Sequence, residues 1–115
     1  LEKINWVGFY LLDEKTNTLV LGPFQGLPAC VRIQNGEGVC GTSASLKKTL
    51  NVENVHNFEG HIACDGKSNS EIVIPIFRND KIFGVLDIDS PIFNRFSKEE
   101  ETYLEAFVKQ LETHI

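Results

Sequence analysis

Two apolar runs, residues 71–77 and 82–88, flank the tetrapeptide Arg78-Asn79-Asp80-Lys81. Asn and Asp tolerate the positive φ that tight hairpin turns need, and both runs are rich in β-branched and other apolar residues. The pattern predicts an antiparallel hairpin. It excludes a purely helical chain and puts an antiparallel sheet at the centre. Residues whose numbers sum to about 159 should pair across this turn, which sets Glu71 across from roughly Ile88.

The remaining segments fit around that hairpin. Residues 5–12 are β-favouring, residues 13–17 form a turn, and residues 18–21 return as a second strand that Gly22-Pro23 ends. Residues 26–30 are loop-like and residues 31–33 a short strand. Residues 39–48 have helix-forming content, entered through Gly38 and Gly41, and residues 52–55 form a short β-like piece. A polar stretch carrying His61 and Cys64 follows. Ser97-Lys98-Glu99-Glu100 matches a capping box, and Tyr103, Leu104, Phe107, Val108, Leu111 and Ile115 recur at helical spacing as a stripe that should pack on the sheet. Strand, strand, short strand, helix, long loop, strand, strand, helix describes an α+β domain.

The 115 residues suit one domain, and 42% apolar residues with eight Phe suffice for a core. Net charge is −5 with no basic stripe, which argues against nucleic acid and against an anionic membrane surface as partners. No apolar run has the length of a transmembrane helix, and no signal-peptide pattern opens the chain. The chain begins at Leu1 and not at Met, which leads us to expect an N-terminal portion outside it. Three cysteines without Cys-x-x-Cys match neither an extracellular disulfide framework nor a structural zinc site. Inert buried thiols or redox-active ones remain.

Chemistry centres on Cys64 and on acids. Asp87 and Asp89 alternate with Ile88 and so share one strand face. Like charges there would raise one pKa, and a protonated carboxyl near neutral pH can act as an acid. The plainer reading makes both ordinary surface charges. Glu71 on the neighbouring strand would complete an acidic cluster, suited to proton transfer, to a ligand carrying positive charge, or to a hard cation. Cys64 enters that strand from the preceding loop. It attacks as a thiolate if a group such as His61 lowers its pKa, and is otherwise a buried thiol. His56 reads as an ordinary loop residue. Cys30, after Gly-Leu-Pro-Ala, and Cys40, between Gly38 and Gly41, have flexible surroundings that suit a resolving thiol. Trp6 and Tyr10 share a strand face, as core or as an aromatic wall for a small apolar or sulfur-containing group.

Together, Trp6-Val7-Gly8-Phe9-Tyr10, Gly36-x-Gly38-Val39-Cys40-Gly41, Val55-His56, His61-Ile62-Ala63-Cys64-Asp65, Ser70-Glu71-Ile72-Val73-Ile74-Pro75 and Gly84-Val85-Leu86-Asp87-Ile88-Asp89-Ser90 resemble the free methionine-(R)-sulfoxide reductases, which are GAF-domain enzymes. The resemblance runs nearly the length of the chain. It implies a GAF fold in a single domain over residues 1–115, with an N-terminal helical segment absent from this chain. It implies Cys64 as nucleophile, Cys30 as resolving thiol, Cys40 as alternative or relay thiol, and Glu71 with Asp89 as the general-acid pair. Asp87 would hold the substrate ammonium, Trp6 and Tyr10 would wall the pocket, and the amides of Ile62 and Ala63 would take the carboxylate. No bound cofactor or metal is implied. Reducing equivalents would come from thioredoxin, and ultimately NADPH, in the cytoplasm. The sequence does not fix the oligomeric state, although an exposed sheet or helix face could pair two such domains as a homodimer. The alternative is a non-catalytic GAF module that senses a small molecule or redox state. A third, a metal-binding carboxylate module, follows from the acids alone.

Overall fold

The computed structural model describes residues 2–60 and 67–115. In chain order the elements are β1 (Trp6–Asp13), β2 (Thr18–Gly26), β3 (Arg32–Gln34), α1 (Gly38–Leu46), β4 (Leu50–Val52), a 3-10 turn at Val55–Asn57, β5 (Ser70–Arg78), β6 (Lys81–Ser90) and α2 (Lys98–Glu112). The six strands form one antiparallel sheet in the order β3-β2-β1-β6-β5-β4. This is the expected α+β arrangement. Among the described residues, no helix is long and apolar enough to cross a membrane.

The central hairpin forms as its sequence predicts. Asn79 and Asp80 both take positive φ, 54° and 64°, as a two-residue turn of matching twist requires. Arg78 pairs with Lys81 and Phe77 with Ile82. Then the register shifts, because Ile76 pairs with Gly84 and Phe83 is left as an extra residue on β6. Beyond this bulge Glu71 lies across from Asp89 and not Ile88, a one-residue correction to the simple hairpin count. One residue is decisive here, since a single-step slip turns a side chain to the other face of the sheet.

Strand β2 does not stop at Gly22-Pro23 but runs to Gly26. Gly8 pairs with Phe24 and Tyr10 with Leu21, so Phe9 faces both Gly22 and Pro23 in a second bulge. A bulge is where a residue without an N–H is tolerated within a sheet. Residues 52–55 are likewise not one β-like piece. The strand ends at Val52, and the Asn54 side chain accepts from the His56 amide, starting the 3-10 turn. Helix α1 starts one residue early, at Gly38, and ends where Lys47 turns left-handed at φ 58°.

Each face of the sheet carries a core and a helix. On one, Trp6, Tyr10, Leu19, Ile33, Val73, Ile82 and Val85 pack with Val39, Cys40 and Ala44 of α1. On the other, Ile72, Ile74, Ile76, Leu86 and Ile88 pack with Phe96 and with Leu104 and Val108 of α2. The predicted capping box starts α2: the Glu100 amide donates to Ser97 Oγ at 3.1 Å, and the Ser97 amide to Glu100 Oε1 at 3.0 Å. The predicted stripe is narrower than expected. Leu104, Val108 and Leu111 face the sheet, whereas Tyr103 is 75% exposed, Phe107 50% and Ile115 41%. Tyr103 and Phe107 lie one position before the buried pair, on the flank of the helix that turns away from the sheet.

Candidate functional site

The register shift at Phe83 assembles the site. Glu71 and Asp89 are cross-strand partners, and Asp87 sits two residues along the same face. On the other side of β6, β1 sets Trp6 across from Asp89 and Gly8 across from Asp87. Helix α1 covers this face and brings Cys40 down, whose Sγ donates to Glu71 Oε2 at 3.9 Å. Glu71, Asp87 and Asp89 are all buried. This removes the plain reading of Asp87 and Asp89 as surface charges.

Burial of like groups sets the electrostatics. Loss of water pushes the Glu71 carboxyl well above the usual carboxylate range, and the neighbouring Asp87 pushes it further. Asp87 is raised by burial and then by Asp89. The Cys40 thiol is raised by burial and then by Asp87 and Glu71, which keeps it protonated. The Tyr10 hydroxyl is raised by burial and by the same groups. Burial and mutual repulsion therefore favour the protonated forms of Glu71 and Asp87. Asp87 Oδ1 is buried and makes no hydrogen bond, an acceptor available to a ligand. Cys40, Glu71 and Asp87 also offer ligand atoms within 4.8 Å of one another. A thiol with two carboxylates is a donor set closer to zinc than to the all-oxygen cages of magnesium or calcium.

Trp6 and Tyr10 stack with ring centroids 6.0 Å apart. Both are buried, and both use their polar atoms on the loop after β2. Trp6 Nε1 donates to the Leu27 carbonyl at 3.0 Å and the Tyr10 hydroxyl to the Cys30 carbonyl at 2.9 Å. Cys30 is half-buried against the same core. Sequence reading missed Phe24, whose ring stacks on Trp6 at 5.6 Å. Its signal was hidden because β2 seemed to end before it. His56 lies outside the cluster, its Nε2 paired with Asn69 Oδ1 at 2.8 Å. Cys64, His61, Ile62, Ala63 and Asp65 lie outside the described residues.

The GAF domain family matches residues 3–115. A protein of Escherichia coli (strain K12) called free methionine-R-sulfoxide reductase is 57% identical over 97% of this chain and 67% of its own length. Protein YtsP of Bacillus subtilis (strain 168) is also 57% identical, over 97% of this chain and 69% of its own. Among solved structures, the fRMsr of Staphylococcus aureus in its reduced form superposes with a TM-score of 0.94 at 60% identity, covering 98% of this chain and 72% of that one. The free methionine-R-sulfoxide reductase of Neisseria meningitidis in complex with its substrate superposes with a TM-score of 0.94 at 44% identity, over 96% and 66% of the two chains. By sequence and by fold, this chain belongs to the GAF domain family and, within it, to the free methionine-R-sulfoxide reductases.

Proposed function

We propose that this protein reduces free methionine-(R)-sulfoxide to methionine. The buried Glu71–Asp87–Asp89 face carries the reading, because it sets three buried carboxyls, two of them with raised pKa, beside an aromatic wall in a chain whose relatives bear that name. A sulfoxide sulfur is a poor electrophile until its oxygen is protonated. Glu71 and Asp89 act as the acid pair on that oxygen. Asp87, with its free Oδ1, holds the substrate ammonium. Trp6 and the ring of Tyr10 enclose the methyl end, and the amides of Ile62 and Ala63 take the carboxylate.

Cys64 attacks the sulfur, keeps the oxygen as a sulfenic acid and releases methionine. The Cys30 thiol then attacks Cys64, forming the disulfide and expelling water. Support comes from Cys30 being disulfide-bonded and from Cys40 being a free, buried thiol. Cys40, buried against Glu71 with its pKa raised, is not the attacking sulfur and is left as the alternative or relay thiol. Thioredoxin returns the two electrons by reducing the disulfide, which places the cycle in a compartment that keeps thioredoxin reduced, the cytoplasm.

A thioredoxin-coupled assay with the full-length protein tests this. Free methionine-(R)-sulfoxide should turn over, while the (S) epimer and a peptide-bound sulfoxide should not. Binding of the free (R) sulfoxide without turnover would replace the enzyme with a sensor. Cys64→Ser should abolish the first reduction, and Cys30→Ser should stop after one methionine per enzyme.

A further inference from the structure

We infer that Trp6 and Tyr10 are positioning residues for Cys30: their two hydrogen bonds clamp residues 27–30 onto β1 and set how fast the disulfide closes. The inference rests on the reductase reading above. Both side chains are buried, and each reaches off the sheet to a backbone carbonyl of that segment, Leu27 at 3.0 Å and Cys30 at 2.9 Å.

The entry to the segment is shaped for the same contact. Trp6 pairs with Gly26, the last residue of β2, which has φ 137°. A Cβ there would lie 2.6 Å from Trp6 Cδ1 and 2.8 Å from the Asn5 carbonyl oxygen. Only glycine lets the chain pass the indole so closely. Pro28 then stiffens the segment between the two anchor points. These are the contacts of the form in which Cys30 is disulfide-bonded.

Disulfide closure demands narrow geometry, with Cα atoms roughly 4.4–6.8 Å apart. A loose segment would present its thiol rarely, and holding it in place raises its effective concentration at the sulfenic acid. In the step concerned, the Cys30 S–H and the Cys64 S–OH bonds break, the S–S bond forms, and water leaves. Cys30 sulfur is oxidised while the sulfenic sulfur is reduced. The Tyr10 hydroxyl belongs to this step, in addition to any role of its ring in the pocket.

Tyr10→Phe keeps the ring and removes the donor. After reduced protein is mixed with one equivalent of free methionine-(R)-sulfoxide, methionine release is followed by chromatography and disulfide formation by mass spectrometry, with dimedone trapping the sulfenic acid. The ratio of the disulfide rate to the methionine rate should fall about tenfold, the worth of one hydrogen bond, and trapped sulfenic acid should accumulate. A ratio equal to the wild type overturns the clamp. A glutathione titration needs no sulfoxide and separates this inference from the reductase reading. There the Tyr10→Phe disulfide should be about tenfold easier to reduce, and an unchanged equilibrium again overturns the clamp. Gly26→Ala, which displaces the segment while keeping the hydroxyl, should move both readouts in the same direction and carries the test should Tyr10→Phe fail to fold.

Discussion

Glu71 states the problem of this site most plainly. Its carboxyl is buried beside Asp87, and both are raised above the usual carboxylate range. A raised folded pKa means that the folded state binds the proton more tightly than the unfolded chain does. Stability from this source is therefore full below the unfolded pKa and is lost as pH rises through the folded one. Glu71→Gln should accordingly raise the melting temperature at neutral and alkaline pH, with the gain vanishing below about pH 4, the ordinary carboxylate range. Each kcal/mol gained corresponds to roughly 4 °C in a domain of this size. The same variant should lose about 10²–10⁴-fold in turnover, the usual worth of a general acid. Thermal melts across pH, set beside the coupled assay, check both signs at once. A variant that is neither stabilised nor slowed would mean that Glu71 is not a strained acid. Asp87→Asn should instead weaken binding chiefly, seen as a raised KM. At this scale the acids were legible, because strand alternation alone puts Asp87 and Asp89 together. That Glu71 faces them depended on a bulge which neither apolar periodicity nor turn chemistry reveals.

That bulge moves the argument to the elements. The Asn-Asp turn was readable because two adjacent positive-φ positions leave few residue choices. The extra residue at Phe83 was not, since it lies just before Gly84 in the chain, where the pairing of β6 with β1 ends while that with β5 continues. Gly84, next to it, has no room for a side chain: a Cβ would fall 2.2 Å from the Tyr10 carbonyl oxygen. Gly84→Ala should force β1 and β6 apart and destabilise the fold by roughly 1–3 kcal/mol. Because β1 and β6 carry Trp6, Tyr10, Asp87 and Asp89, the loss should appear in activity as well, measured by denaturant unfolding beside turnover per folded molecule. Ser97→Ala provides the contrast. It removes the capping-box acceptor at the start of α2, on the other face, and should cost about 1 kcal/mol without changing KM. The end of β2 failed to show in the sequence for the same reason as the β6 bulge. Gly-Pro ordinarily stops a strand, but here it occupies a bulge opposite Phe9, and the strand continues to carry Phe24 onto Trp6.

The whole molecule divides its labour between two sides of one sheet. The α1 side gathers the acids, the buried thiol and the aromatic pair, and polar groups there are held at a cost to stability. The α2 side is apolar, formed by Ile72, Ile74, Ile76, Leu86 and Ile88 under Leu104 and Val108. This division was visible in outline from the alternation of strands β5 and β6, whose acids and aliphatics point in opposite directions. Which residues of α2 meet the sheet was not, because helical spacing admits a broad stripe and only packing selects its centre. Leu104→Ala should therefore cost about 2–5 kcal/mol, the range for a truncated core leucine. Phe107→Ala, on the exposed flank, should stay within about 0.5 kcal/mol. Both should leave KM and turnover per folded molecule at wild-type values, since neither side chain reaches the acid face. Unfolding curves read with activity normalised to the folded fraction decide it. Equal losses of stability from the two variants would show that the helix seats differently on the sheet. A change in KM from Leu104→Ala would show that the two faces are coupled through the strands rather than separate.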